Sequence, residues 1–104
     1  MEKVILRNED IRRVLMGVPK AHRHLRALIE TKRGASYVFQ EATVANMVRA
    51  YVTLKTHPSI YGIELINKEC DGGLKEGYAK SQLIESEKGS QEVIEEMNKL
   101  LCLV

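Results

Sequence analysis

Glycine and proline residues divide this chain of 104 residues into short segments, and this division constrains the fold more than any other sequence feature. Helices and strands end, or the chain turns, at such residues. The connections between the segments are therefore short, and short connections favour hairpins and antiparallel neighbours. We predict an α+β fold, a mostly antiparallel sheet of about five strands with three helices, in the order β-α-β-β-α-β-β-α.

The first two predicted elements are a strand and a helix. Residues 3–7 are rich in β-branched side chains, which favours a strand. Asn8 is a suitable N-cap for a helix over residues 9–17, and Gly17 followed by Pro19 would end that helix. The apolar residues of this segment follow helical spacing: Ile11, Val14, Leu15 and, just after Gly17, Val18.

Residues 20–40 admit two predictions. Two apolar runs, 27–31 and 35–39, flank Lys32-Arg33-Gly34, and a three-residue connection with glycine last is a common hairpin geometry. We predict this hairpin. The alternative is a helix over residues 20–32, because this segment contains good helix formers.

The remaining segments predict two further helices and two strands. A helix over residues 41–55 carries an apolar stripe of Val44, Met47, Val48, Tyr51 and Val52, and it ends before Pro58. Strands are predicted over 60–66 and 78–85, on either side of a turn at Asp71-Gly72-Gly73. Ser90 is predicted to cap the last helix, in which Val93, Met97, Leu100 and Leu101 face inward. The apolar end of the chain is expected to dock on its own sheet or on a second subunit.

Composition predicts one globular domain over residues 1–104, because 44% of the residues are hydrophobic and 29% are charged. The longest apolar runs fall far short of the ~18 residues that cross a bilayer, so we expect no membrane partner. The N-terminus lacks the apolar stretch of a secretory signal. Cys70 and Cys102 are therefore expected to be free thiols in the reducing cytoplasm.

Charge is distributed unequally between the two halves of the chain. Residues 1–57 contain 11 lysines and arginines against 5 acidic residues, whereas residues 58–104 contain 5 against 9. All seven arginines lie in the first half. This asymmetry indicates either an anionic partner or two halves that face each other, within one chain or across a dimer.

The densest basic segment gives the candidate ligand site. Its cations are suited to phosphate groups and to nucleic acid, although few aromatic side chains are available to stack on bases. A solvated surface or salt bridges between subunits is the alternative interpretation. The predicted anion-binding residues are Lys20, Arg23, Arg26, Lys32 and Arg33.

Histidines give two weaker hypotheses. If residues 22–24 form a strand, His22 and His24 point to the same side and share a metal, but no further ligands stand at a recognised spacing. Glu41, Arg49 and His57 would supply acid, base and anion-holding groups if the fold brought them together, although their spacing does not require it. We therefore expect no cofactor, no metal and no catalytic site.

One segment has a resemblance to known sequences. The run from Tyr37 to Tyr51, followed by Lys55-Thr56-His57-Pro58, resembles a family of small uncharacterised archaeal proteins of unknown function. The resemblance covers about a fifth of the chain. It implies no activity, cofactor or site residue.

These observations lead to one functional hypothesis and two alternatives. We expect a non-catalytic binding protein, a homodimer through its last helix or a sheet edge, whose basic half binds an anionic partner, with RNA or DNA as the leading class. One alternative is a small enzyme or metal-binding protein that uses His22, His24 or His57. The other requires a helix over 20–32 and is a winged-helix DNA-binding dimer that reads bases through Thr43, Asn46, Arg49 and Thr53.

Overall fold

A computed structural model describes residues 3–69 and 81–102 of the chain. The chain divides into two compact units, residues 1–44 and 45–104, called unit 1 and unit 2 below. That the two units make one domain remains a prediction. The described elements are a 3-10 turn at Asn8–Asp10, then β1 (Ile11–Gly17), β2 (Arg26–Thr31), β3 (Ser36–Gln40), α1 (Glu41–Thr56), β4 (Leu65–Glu69), β5 (Ser81–Glu85) and α2 (Ser90–Leu100).

The predicted α+β class is confirmed, but the predicted architecture is wrong. The five described strands form two separate sheets, one of three strands and one of two, and the described residues contain two α-helices instead of three. None of these helices is both long and apolar enough to cross a membrane.

Unit 1 contains an antiparallel sheet in the order β1-β2-β3. Residues directly opposite one another on neighbouring strands lie on the same face of a sheet. One face therefore carries Ala27, which is buried, between Met16 and Phe39. The opposite face carries Leu28 between Leu15 and Val38.

The predicted helix over residues 9–17 is wrong, because residues 9–10 belong to the 3-10 turn and residues 11–17 form strand β1. Its register against β2 shifts between Ile11 and Arg13, and such an irregularity interrupts the simple alternation that marks a strand in sequence. The strand predicted at residues 3–7 is also absent. Arg7 instead binds Asp10 through its backbone N–H, at 3.0 Å, and through its guanidinium, at 3.2 Å.

The predicted hairpin over residues 27–39 is confirmed, and the alternative helix over 20–32 is therefore wrong. Gly34 has a φ of 94°, a left-handed conformation that glycine adopts without steric cost. Thr31 donates to the Ala35 carbonyl oxygen twice, from its backbone N–H at 2.9 Å and from Oγ1 at 2.8 Å. These bonds satisfy the side chain of Thr31, which is buried.

Unit 2 contains the two-stranded sheet, most of α1, and α2. The predicted helix over 41–55 is confirmed as α1. β4 pairs with β5 in antiparallel register, Asn67 opposite Leu83, although β4 begins at Leu65 and not at residue 60. The predicted turn at 71–73 and the first residues of the strand predicted over 78–85 lie outside the described residues.

The last helix is confirmed, but two details of its prediction are wrong. Gly89 occupies the N-cap position, and Ser90 is the first helical residue. The Ser90 hydroxyl instead accepts a hydrogen bond from the Tyr61 N–H at 3.1 Å and donates to the Gly62 carbonyl oxygen at 3.3 Å. Val93 is buried as predicted, whereas Met97, Leu100 and Leu101 are exposed.

Candidate functional site

An open apolar groove lies on the sheet of unit 1. Leu15, Leu28 and Val38 stand side by side across the three strands. Leu15 is 47% exposed and Val38 is 61% exposed. A space of about 440 Å³ lies over them, and it is also lined by Met16, Gly17, Val18, Pro19, His22 and Arg26. Aliphatic side chains therefore form the floor of this groove.

The loop between β1 and β2 forms one end of the groove. The His22 N–H donates to the Pro19 carbonyl oxygen at 3.1 Å, and Ala21 has a φ of 65°. Together these features make a tight turn with a left-handed third residue. The Nδ1 of His22 also lies 3.0 Å from the Lys20 carbonyl oxygen. The turn therefore holds Lys20 and His22 at the end of the apolar floor.

Cations predominate at this loop end. Lys20 and Arg23 lie in the loop, and within the described part of the chain neither forms an ion pair with a carboxylate. Arg26 begins β2 and donates to the Leu25 carbonyl oxygen at 3.2 Å, and among residues 3–69 and 81–102 no carboxylate pairs with it.

The carboxylate at the loop end, Glu41, is already engaged by the loop itself. Its Oε1 accepts the Leu25 N–H at 2.9 Å, and its Oε2 lies 3.6 Å from the Nδ1 of His24. Glu41 therefore anchors the loop and leaves the charges of Lys20, Arg23 and Arg26 available to an outside anion.

The structure divides the predicted five-residue anion site into two groups. Lys32 and Arg33 lie in the turn between β2 and β3, about 16 Å from Arg26 along β2. Acidic residues accompany the cations at this turn end. Hydrogen bonds from Arg7 lower the pKa of Asp10, and the charge of Arg33 lowers it further.

The groove face also carries a paired charge toward the turn end. The guanidinium of Arg13 binds Glu30 through two hydrogen bonds of 2.9 and 3.0 Å, and the pKa of Glu30 is lowered as a result. A two-pronged pair of this kind satisfies both partners. The groove is therefore charge-balanced near the turn and cationic at the loop.

Aromatic side chains lie on the other face of the same sheet. Tyr37 and Phe39 alternate with Val38 on β3, so they point away from the groove, and both are half-buried. Bases are bound on sheet surfaces mainly by stacking on exposed aromatic rings. The aliphatic groove floor therefore favours a protein segment over a nucleic acid.

The other predicted sites are not assembled. His22 and His24 lie in a loop, not on a strand, and the described residues contain no group of three histidines, cysteines or carboxylates that would hold a metal. Glu41 begins α1 and His57 follows its end, so about 24 Å of helix separates them. The winged-helix alternative requires a helix over residues 20–32, where the structure has strand β2. Three of the residues that it would use to read bases are half-buried on α1: Thr43, Asn46 and Thr53.

A second cleft, of about 260 Å³, lies in unit 2 and contains Glu64, Lys88 and Ser90. The Lys88 Nζ lies 3.1 Å from Glu64 and 2.7 Å from Glu96. Hydrogen bonds to these two carboxylates raise the pKa of Lys88 well above its usual range. An amine held protonated in this way is neither a base nor a nucleophile. The described charges of this cleft therefore compensate one another, Lys88 between Glu64 and Glu96.

Glu64 is expected to make stability depend on acid pH. Hydrogen bonds from Ser86 and Lys88 lower its pKa below the ordinary 4.5. Its stabilising contribution is therefore complete above pH 4.5 and disappears as the pH falls through the lowered value. Melting temperatures measured between pH 6 and pH 3 should fall less for Glu64→Gln than for the unchanged protein. The exposed Glu87, changed to Gln, is the matched control and should leave the acid dependence as it is.

Comparison of the chain with known protein families, curated proteins and solved structures found no match. The groove itself therefore carries the functional argument. Its floor residues Leu15, Leu28 and Val38 were missed in the sequence because β1 was interpreted as a helix. The predicted hairpin did contain the signal, since a three-residue connection at 32–34 places Leu28 opposite Val38.

Proposed function

We propose that unit 1 is a non-catalytic protein-binding module that takes an acidic partner segment with apolar side chains. One observation carries the proposal: the apolar row of Leu15, Leu28 and Val38, whose two outer members are exposed, lies next to the cations at the β1–β2 loop. The apolar row would contact the partner's apolar side chains, and the loop cations would contact its carboxylates.

The two parts of the groove have different physical roles. Burying exposed aliphatic side chains supplies most of the binding free energy, at about 25 cal/mol per Å² of apolar area. Lys20, Arg23 and Arg26 select negative partners and accelerate their encounter, an effect that salt screens. An amphipathic helix laid in the groove with glutamates on its flanks satisfies both requirements.

A peptide titration tests the proposal directly. The probe is a synthetic amphipathic peptide of about 18 residues, or five helical turns, with leucines along one face and glutamates elsewhere. In amide NMR spectra, it should shift the signals of Leu15, Leu28, Val38 and Arg26. Binding should weaken between about 0.01 M and 0.3 M salt. A second peptide with lysine in place of glutamate should bind at least about tenfold more weakly.

Two double charge-reversal variants test whether the cations at the loop end or those at the turn end bind the peptide. Lys20→Glu with Arg23→Glu should weaken binding of the glutamate peptide by about tenfold at low salt, because both loop cations become repulsive. Lys32→Glu with Arg33→Glu makes the same charge change about 16 Å away and should have little effect. Equal loss in both variants, or tighter binding of a mixed-sequence RNA than of the peptide, would overturn the proposal.

A further inference from the structure

Helix α1 exposes its apolar side and covers its more polar side. Four apolar residues on one side of the helix, Met47, Val48, Tyr51 and Val52, are each at least 50% exposed. The residues on the opposite side are half-buried, and they are Thr43, Asn46, Ala50, Thr53 and Leu54. A helix of a monomeric protein normally has the reverse arrangement. The exposed apolar side is therefore a candidate interface.

The spacing of the exposed side matches a helix-pairing seam. Val44, which is half-buried, and the exposed Val48 and Tyr51 are separated by four and three residues, which is the spacing of the core positions of a coiled coil. Glu41 and Lys55 continue the same side, seven residues before and seven residues after Val48. The seam thus has a negative group at the N-terminus of the helix and a positive group at its C-terminus.

These charges select the partner and its direction. We infer that α1 pairs with α1 of a second copy of this chain, antiparallel, with Val48 on the twofold axis. In that arrangement Glu41 of each copy lies opposite Lys55 of the other, and the two helix dipoles oppose each other favourably. The carboxylate of Glu41 retains acceptor capacity for this contact, because the Leu25 N–H uses one of its roughly four lone-pair sites and the Nδ1 of His24, 3.6 Å from Oε2, approaches one other.

The size of the seam sets the strength of the dimer. The seam runs about 21 Å along one helix, from Glu41 to Lys55. One helix side of this length covers less than the ~800 Å² per partner of a standard interface. The dimer is therefore reversible, with a dissociation constant in the micromolar range. Its apolar residues are separate from those of the groove proposed above for an acidic partner, and Glu41, which anchors the groove loop, is the residue that both sites share.

Sedimentation of the full chain from about 10 µM to about 1 mM tests the inference. The unchanged protein should pass from monomer to dimer across this range. Val48→Glu with Tyr51→Glu should weaken the dimer at least about 100-fold, because four carboxylates would meet in one seam. Both sites are exposed in the single chain, so the circular dichroism spectrum should be unchanged. A protein that stays monomeric up to 1 mM, or a variant that dimerises as before, overturns the inference.

Two matched variants test the seam and its direction. Ala42→Glu makes a similar change on an exposed part of α1 about 120° around the helix from Val48, and it should leave the dimer intact. Lys55→Glu should weaken an antiparallel dimer about threefold, by facing Glu41 of the second copy. In a parallel dimer, residue 55 of one copy would face residue 55 of the other copy. These two residues carry the same charge as each other both in the unchanged protein and in the Lys55→Glu variant, so the affinity of a parallel dimer would not change.

A third experiment covers the case in which Val48→Glu with Tyr51→Glu fails to fold. In a background with Cys70→Ser and Cys102→Ser, Val48→Cys should form a disulfide-linked dimer on mild oxidation, because Val48 lies on the twofold axis. Ala42→Cys should not. Equal cross-linking of the two variants would contradict the seam. The glutamate peptide should bind the monomeric double variant as well as the unchanged protein, so failure of the dimer and failure of the groove are distinguishable.

Discussion

Gly62→Ala is expected to lower the free energy of unfolding by about 1–3 kcal/mol, because the new methyl group has no space. A Cβ atom at this position would lie 2.8 Å from the backbone carbonyl oxygen of Ser90, 3.2 Å from the Cβ of Val93 and 3.3 Å from the Cγ1 of Ile94. The closest of these atoms belongs to the backbone of α2, so a side-chain rotation cannot relieve the clash. Chemical denaturation followed by circular dichroism measures the change.

The reason for this close approach lies in the hydrogen bonds around Ser90. The Ser90 hydroxyl links the Tyr61 N–H to the Gly62 carbonyl oxygen, and the Tyr61 hydroxyl donates to Gln91 at 3.0 Å. These bonds hold the chain before β4 against the first turn of α2. Gly62→Ala must break them or move the helix.

Gly17→Ala is the matched control for Gly62→Ala. Among the described residues, no atom beyond Gly17 and its two chain neighbours lies within 4 Å of a Cβ placed at Gly17, and Gly17 does not have a positive φ. Alanine there should leave stability unchanged or raise it slightly, since it lowers the entropy of the unfolded chain. Equal destabilisation by the two substitutions would show that the contact with α2 is not what requires glycine at position 62.

Local signals in the sequence were sufficient for the hairpin and for both helices. Gly34 fixes the turn between β2 and β3 through its left-handed conformation, a requirement that depends on three neighbouring residues alone. α1 was predicted from its apolar spacing and from the proline that follows it. For α2, the predicted start differs by one residue, because the Ser90 hydroxyl is used by residues 61–62 and not by the helix.

Longer-range pairing explains the elements that were wrong. Val14 and Leu15 have helical spacing relative to Ile11, but they also lie on β1 opposite Ile29 and Leu28 of β2. That pairing is decided by a strand more than ten residues away, so a local pattern cannot detect it. The division of the strands into two sheets likewise depends on which strands meet, and no local pattern specifies this.

The candidate site was half predicted for the same reason. The basic loop was identified because charge density is visible in a sequence, and Lys20, Arg23 and Arg26 do lie together at one end of the sheet. Lys32 and Arg33 are near in sequence but are carried to the far end by a strand of six residues. The apolar floor was not predicted, since it exists only when three strands align Leu15, Leu28 and Val38.

Ala27→Glu and Val38→Glu are expected to have opposite effects, because they lie on the two different faces of the unit 1 sheet. Ala27→Glu should lower stability, whereas Val38→Glu should lower the affinity for the proposed partner and leave stability nearly unchanged. Ala27 is 6% exposed in the central strand, so a glutamate there buries a charge and should lower stability by at least about 3 kcal/mol. Val38 is 61% exposed on the groove floor, so the same substitution should change stability by less than about 0.5 kcal/mol. Thermal melting and the dispersion of amide NMR signals measure both effects.

The binding measurement completes this comparison. Val38→Glu places an unpaired carboxylate where the partner's leucines would pack, and it also repels the partner's glutamates. The affinity for the glutamate peptide should therefore fall at least about 30-fold, which corresponds to about 2 kcal/mol. Val18 lies on the groove wall beside the loop cations. Val18→Glu should weaken binding less than Val38→Glu does, because those cations offset the charge of the new glutamate. A folded Val38→Glu protein that binds the peptide normally would show that the aliphatic row is not the contact surface, whatever the loop cations do.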